Sequence, residues 1–156
     1  MVTVAAGVAA RDVRTHIRAM TGTMHGAAGQ QSPDPDTIER LARTALARLP
    51  AEFQPYLSDI VIRIEEYADA DQLASVGLTQ PWQLVGLYRG QPVNKQSVWN
   101  SGTLPPAIYL FRQPLLARWR QTGATLEAVV NHLVVHEVGH HFGFSDDEMH
   151  GLEGSA

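Results

Sequence analysis

The stretch that decides the fold is His136-Glu137-Val138-Gly139-His140-His141-Phe142-Gly143-Phe144-Ser145-Asp146, which has the pattern H-E-x-x-H-x-x-G-x-x-D. Residues four apart on an α-helix lie one above the other, so this spacing predicts a helix that presents the imidazoles of His136 and His140 on one face. Gly143 is well placed to end that helix, because glycine enters the left-handed conformation of a helix cap without steric cost. The reversed chain then brings Asp146 back towards the two histidines.

These side chains are of the types that bind a single divalent metal ion. Two imidazoles and one carboxylate, with water in the fourth position, form a catalytic arrangement for zinc, whereas structural zinc sites are closed by four protein ligands. We therefore predict that His136, His140 and Asp146 hold one zinc ion per chain. Glu137 lies about 100° around the helix from His136 and can reach a water on the open side of the metal, so it is the candidate general base. Asp147, the next residue, is the alternative third ligand; its use would require a different turn after Gly143.

A histidine-rich surface helix that binds nothing is the other explanation of the motif, since five of the seven histidines lie between His132 and His150. The helical context favours the metal site. Val129 and Leu133 share one face with the histidines of the motif, and Thr125 can cap the start of the helix. His132 is expected either on the helix surface or next to a metal ligand.

Composition limits the class of protein. The chain has 156 residues, of which 44% are hydrophobic and 18% charged, as is typical of a single globular domain. It contains no cysteine, so disulfides and thiolate ligands are excluded; this fits a reducing compartment, and we expect a cytoplasmic location. No apolar run approaches the roughly 20 residues of a membrane span, so no membrane partner is expected.

A change in composition divides the chain in two. Residues 1–31 carry three arginines among many Ala, Gly and Thr, and we predict a flexible N-terminal arm there, with a transit peptide as the alternative. Residues 32–156 form the predicted domain and hold nine basic and fifteen acidic residues, a net charge of −6. An acidic domain is a poor candidate for binding a phosphate backbone, so no nucleic-acid partner is expected.

Hydrophobic patterning predicts the remaining elements. An apolar stripe from Ile38 to Leu49 indicates an amphipathic helix, with Asp36 and Glu39 as its expected capping pair. Strands are predicted at 59–65, 84–88 and 107–111, a helix at 114–120 and the motif helix at 125–142. The order predicts an α+β fold, in which a small sheet of about three strands packs against an N-terminal helix and the C-terminal motif helix. We expect the strand at 107–111 to be the edge that pairs with an extended substrate.

Three segments of the chain resemble the small bacterial zincin-like metallopeptidases, also called minimal zincins. They are Gly86-Leu87-Tyr88-Arg89-Gly90, Pro105-Pro106-Ala107-Ile108-Tyr109-Leu110-Phe111-Arg112-Gln113-Pro114-Leu115, and the motif from His136 to Asp146. The likeness covers roughly residues 36–150. The motif is specific for the zincin class, and the other two segments indicate this family within the class. The resemblance implies a zincin-like fold, zinc held by His136, His140 and Asp146, and Glu137 as the catalytic residue.

The activity implied by the resemblance is that of a zinc-dependent metallopeptidase, with metal-activated water as nucleophile and Glu137 as general base. Among the larger zincins, the metzincins continue with a Met-containing turn well downstream, beneath the zinc, whereas ten residues follow Asp146 here. We therefore expect a shallow cleft and short or unfolded peptides as substrates. His150 and Tyr109 are the candidates for a second oxyanion donor. The sequence does not indicate an oligomeric state.

Two other functions are compatible with the motif. One is a catalytically weak binding module that keeps zinc for stability and recruits partners. The other is a metal-dependent endoribonuclease, because bacterial ribosomal-RNA maturation endoribonucleases use H-x3-H-x5-H, the spacing of His136, His140 and Asp146. Those enzymes carry Gly where Glu137 stands here, and an RNA substrate would favour a basic face.

Overall fold

The computed structural model describes residues 2–5, 32–93 and 104–148. Its elements in chain order are β1 (Val2–Ala5), α1 (Pro35–Ala47), α2 (Gln54–Leu57), β2 (Val61–Glu65), α3 (Ala70–Ala74), a 3-10 turn (Pro81–Gln83), β3 (Leu84–Arg89), β4 (Ala107–Phe111), α4 (Arg112–Thr122) and α5 (Leu126–His141). The predicted α+β class is confirmed. Within these ranges, no helix combines the length and the apolar character needed to cross a bilayer.

The start of α1 differs from the prediction. Asp34 is the N-cap, and its carboxylate accepts a hydrogen bond of 2.7 Å from the backbone N–H of Thr37. This bond also holds the pKa of Asp34 below its usual value. Proline suits the first helical position because its missing N–H has no partner there, so Pro35 fixes the cap at the residue before it. The prediction that Asp36 and Glu39 form the capping pair was therefore wrong.

The sheet has the order β1-β3-β4-β2. Strand β3 runs antiparallel to both β1 and β4, while β2 runs parallel to β4. The three predicted strands are present, and β1 adds a fourth at one edge. This strand lies within the predicted N-terminal arm, residues 1–31, and its backbone pairs with β3. Residues 6–31 lie outside the described part of the chain, so the flexible arm stays a prediction.

Strand β4 is central, which corrects a second prediction. Tyr109 is paired with Leu87 of β3 on one side and with Arg63 of β2 on the other. The strand at 107–111 therefore has no open edge, and it cannot be the strand that pairs with a substrate. Alternation of side chains along a strand shows which residues share a face, but it does not show which strands lie on either side.

The main hydrophobic core lies where α1 and α5 pack against each other and against the sheet. Ile38 and Ala42 of α1 and Val130, Leu133 and Val134 of α5 are fully buried there. Each large side chain buried in this way stabilises the fold by about 1.5–3 kcal/mol. The helix that carries the motif is therefore fixed to the sheet along its apolar face.

A smaller cluster joins α3 to β3 and β4 around Leu73, Leu87 and Phe111. The chain thus buries apolar surface at two places, and both places include β3.

Candidate active site

Helix α5 begins as the sequence predicts. Thr125 is its N-cap, and the Thr125 side chain accepts a hydrogen bond of 3.1 Å from the N–H of Ala128. Leu133 is buried and His132 is exposed, in agreement with the predicted faces. The periodicity that places apolar side chains in the core also fixes the direction in which the motif residues point.

The end of α5 is a glycine cap. Gly143 has φ 89°, and its N–H donates to the carbonyl of His140 at 2.9 Å. The N–H of Phe144 donates to the carbonyl of Gly139 at 3.0 Å. Together these bonds form a Schellman motif, which reverses the chain and satisfies two helix carbonyls. The predicted role of Gly143 is confirmed.

A second cap follows within three residues. The carboxylate of Glu148 accepts hydrogen bonds from the N–H of Ser145 at 2.7 Å and from its hydroxyl at 3.0 Å, and these bonds hold the pKa of Glu148 below its usual value. The Ser145 hydroxyl in turn accepts from the N–H of Glu148 at 3.3 Å. This capping box starts a helical turn whose first residue is Asp146. Two consecutive caps therefore fix where the Asp146 carboxylate lies.

His136, His140 and Asp146 come together. The Oδ1 atom of Asp146 lies 3.0 Å from Nε2 of His136 and 3.1 Å from Nε2 of His140. One ligand atom from each residue lies within 4.8 Å of the others. Zinc ligands at about 2.0–2.2 Å in a tetrahedral site lie about 3.4 Å apart, so this group can hold one zinc ion after small adjustments.

The protonation of His140 fits a cation at this position. Its Nδ1 lies 2.8 Å from the carbonyl of Phe144, which only accepts, so Nδ1 carries the proton. Burial lowers the pKa of His140 below its usual value, which keeps the ring neutral and leaves a lone pair on Nε2. That buried Nε2 has no hydrogen-bond partner within the described ranges and faces a carboxylate oxygen of Asp146. Two acceptors this close repel each other, and a metal ion held between them would remove this repulsion.

Glu137 points towards the sheet and is fully buried. Gly86 of β3 lies close to it, because a Cβ atom added to this glycine would lie 3.1 Å from Oε1 and 3.6 Å from Cγ and Cδ of Glu137. With any larger residue at position 86, the Glu137 carboxylate would have to move from its present position. Gly86 therefore helps to set where the candidate base lies beside His136.

Behind the motif, His141 links α5 to two other parts of the fold. Its Nε2 lies 2.8 Å from the carbonyl of Tyr56, so Nε2–H is the donor and Nδ1 the acceptor. The Tyr88 hydroxyl, 2.7 Å from Nδ1, donates the second bond. Burial raises the pKa of Tyr88 to about 12 and lowers the pKa of His141 below its usual value. Both groups therefore stay neutral at pH 7 and fix α5 to β3.

The other residues predicted for the site lie as follows. Asp147 is not in the group that could hold a metal, whereas Asp146 is. Tyr109 packs in the smaller hydrophobic cluster, with its ring stacked 6.4 Å from that of Phe111. His150 lies outside the described residues.

Sequence reasoning missed the residues that position the motif. The pattern Ser145-x-x-Glu148 is a capping-box signature and could have predicted the turn that carries Asp146. No local pattern predicts that Gly86 faces Glu137 or that Tyr88 binds His141, since these pairs are about fifty residues apart. Both depend on where β3 lies relative to α5.

Comparison with known families agrees with this geometry. The model of a family described as zincin-like metallopeptidase matches residues 57–156, which include the strands β2 to β4 and the whole motif. No curated protein matches the chain.

Proposed function

The chain belongs to the zincin-like metallopeptidase family, and from this premise we propose that it is a zinc-dependent metallopeptidase that hydrolyses short or unfolded peptides. The observation that carries the proposal is the convergence of His136, His140 and Asp146, with their ligand atoms within 4.8 Å, on a helix in which the buried Glu137 directly follows His136. Three protein ligands leave one position for water or substrate, as catalytic zinc sites do.

In this proposal His136, His140 and Asp146 hold the zinc ion. The bound ion would lower the pKa of a water molecule to about 7 and polarise the carbonyl of the peptide bond. The backbone of Phe144 orients the imidazole of His140 through its carbonyl, and partners of this kind raise the basicity of a metal-binding histidine. The capping box of Ser145 and Glu148 holds the backbone of the helical turn that carries Asp146.

Glu137 moves the protons. It follows His136 directly in the helix and lies about 100° around from it, so we expect its carboxylate to reach the bound water rather than the metal. As water attacks the peptide carbonyl, Glu137 accepts a proton from the water and then delivers it to the leaving amine, so the carboxylate is regenerated. Because the Glu137 side chain is already fixed beside Gly86, it loses little conformational entropy when the reaction begins.

Burial of the site supports unfolded peptides as the substrate class. His136, Glu137 and His140 are 4%, 0% and 2% exposed, whereas the side chain of Asp146 is 43% exposed. The reacting carbonyl must therefore come close to groups that lie below the surface. A single extended chain can do so, while the backbone of a folded protein is already paired and covered.

The test is the hydrolysis of unfolded casein by zinc-loaded wild type and by Glu137→Gln at equal zinc content. Wild type should cleave casein and lose this activity with a chelator, and Glu137→Gln should keep its zinc but be slower by about 10²–10⁴-fold. Cleavage by Glu137→Gln at the wild-type rate would remove the general base from the proposal. A zinc-loaded wild type that cleaves nothing would point to the binding module instead.

A further inference from the structure

We infer that strand β1 occupies the peptide-binding edge of the site, so that the N-terminal segment of the chain competes with the substrate. This inference rests on the proposed function and concerns how the peptidase activity is regulated. Strand β3 pairs with β4 on one side and with β1 on the other. Without Val2–Ala5, β3 would be the open edge of a three-stranded sheet.

The edge covered by β1 lies beside the candidate base. Val4 is paired with Gly86, the residue of β3 at which an added Cβ atom would lie 3.1 Å from Oε1 of Glu137. Partners in an antiparallel pair have Cα atoms about 4.5–5.5 Å apart, so the backbone of Val4 lies within about 10 Å of the Glu137 carboxylate. Strand β1 also packs against α5, the helix that carries the metal ligands.

An open edge at this position has the chemistry to bind an extended peptide. Unpaired N–H and C=O groups of an edge strand accept any chain in β conformation, and the main-chain hydrogen bonds provide affinity with little dependence on sequence. This is the property that a peptidase for unfolded chains needs. Among the described strands, β2 offers the other edge, but it is separated from β3 by β4.

The contact between β1 and β3 is antiparallel and short, and its register shifts between Val4 and Ala5. Because β1 has four residues and an irregular end, it should bind the edge of β3 weakly. A peptide substrate can therefore displace it. If β1 covers the edge in about two thirds to nine tenths of the molecules, the apparent affinity for a competing peptide falls about threefold to tenfold. The segment therefore lowers activity at low peptide concentration and is displaced at high concentration.

The test uses the full chain with Thr3→Pro and Val4→Pro together. Successive residues of an antiparallel strand donate alternately into and away from the partner, so the double change removes at least one N–H that bonds to β3. The matched control carries Thr3→Ala and Val4→Ala, which alter the same side chains and keep both backbone donors. The probe is a labelled synthetic peptide with the sequence of residues 1–10, whose binding is followed by fluorescence anisotropy on zinc-loaded proteins that also carry Glu137→Gln.

We expect the double-proline protein to bind the probe about threefold to tenfold more tightly than the control. With Glu137 present, it should cleave casein faster by the same factor at low substrate concentration. If the double variant does not fold, the single variants decide, because Pro at one of the two positions should increase binding and Pro at the other should not. Equal binding by all these proteins would overturn the inference.

The two readouts separate the inference from the proposed function. Tighter probe binding without casein cleavage by any protein would uphold the covered edge and contradict the peptidase. Cleavage of casein at equal rates, with equal probe binding, would leave the peptidase in place and overturn the role of β1.

Discussion

Gly86 leaves open the space that the Glu137 carboxylate needs: a Cβ atom on the glycine would lie 3.1 Å from the carboxylate oxygen of the glutamate. This close approach links the sheet to the candidate base, although the two residues come from different elements. Because Glu137 is fully buried, it has little room to move away from a larger neighbour. The backbone of β3 at Gly86 therefore limits the positions that the Glu137 carboxylate can take.

Replacing Gly86 tests this relationship. Gly86→Ala should displace the Glu137 carboxylate by a few tenths of an ångström and lower kcat for casein by about tenfold to a hundredfold, while zinc content stays unchanged. The control is Gly123→Ala, where the new Cβ meets nothing within 4 Å but φ is +68°. This control should lose stability through backbone strain and keep its kcat per folded molecule. An unchanged kcat in Gly86→Ala would contradict the positioning role.

The capping box that carries Asp146 provides a second prediction. Ser145→Ala removes both hydroxyl contacts with Glu148, so Asp146 should lose its fixed position and zinc affinity should weaken by about 10–100-fold. Thr125→Ala removes the other helix cap of the motif helix and should lower stability by about 0.5–2 kcal/mol without changing zinc affinity. Competition with a chromogenic chelator measures both. Equal zinc affinities in the two variants would show that the box does not position Asp146.

The buried pair of Tyr88 and His141 should contribute to stability. Tyr88→Phe leaves the Nδ1 acceptor of His141 buried without its donor, which costs about 1–3 kcal/mol in the free energy of unfolding. Tyr56 provides the control, since its ring is 52% exposed and it contributes its backbone carbonyl to His141. Tyr56→Phe should change the free energy of unfolding by no more than about 0.5 kcal/mol. Urea unfolding of the zinc-free proteins compares them, and equal losses would argue against the hydrogen bond.

The stability of the zinc-free protein should depend on pH through His140 and His141. Burial lowers the pKa of both below 6.5, so near that pH the folded chain binds fewer protons than the unfolded chain. The stabilising effect is complete above pH 6.5 and is lost as the pH falls towards the lowered values. Urea unfolding at pH 7.5, 6.5 and 5.5 should show a decline between the last two. A flat profile in wild type would contradict the buried neutral rings.

The parts of this fold that depend on local spacing were predictable. Residues four apart on a helix share a face in any protein, so the convergence of His136 and His140 follows from the sequence, as does the glycine cap at Gly143. The boundaries of the motif helix and of strand β4 were predicted to within one or two residues for the same reason.

The parts that depend on long-range pairing were not predictable. The alternating pattern of β4 is the same whether a strand is central or at an edge, so its position between β2 and β3 could not be inferred. Val2–Ala5 is too short to stand out as a strand without its partner β3. The contact of Gly86 with Glu137 has no local signature either, since a glycine within a strand has several explanations.

The most direct test of the account is the zinc content of purified Asp146→Asn and Asp147→Asn beside wild type, measured by elemental analysis after dialysis. The two substitutions are chemically identical and one residue apart, but only Asp146 lies 3.0 Å and 3.1 Å from the two imidazoles. We predict about one zinc ion per chain in wild type and in Asp147→Asn, and a large loss in Asp146→Asn. Full zinc in Asp146→Asn, or none in wild type, would contradict a metal ion held by His136, His140 and Asp146.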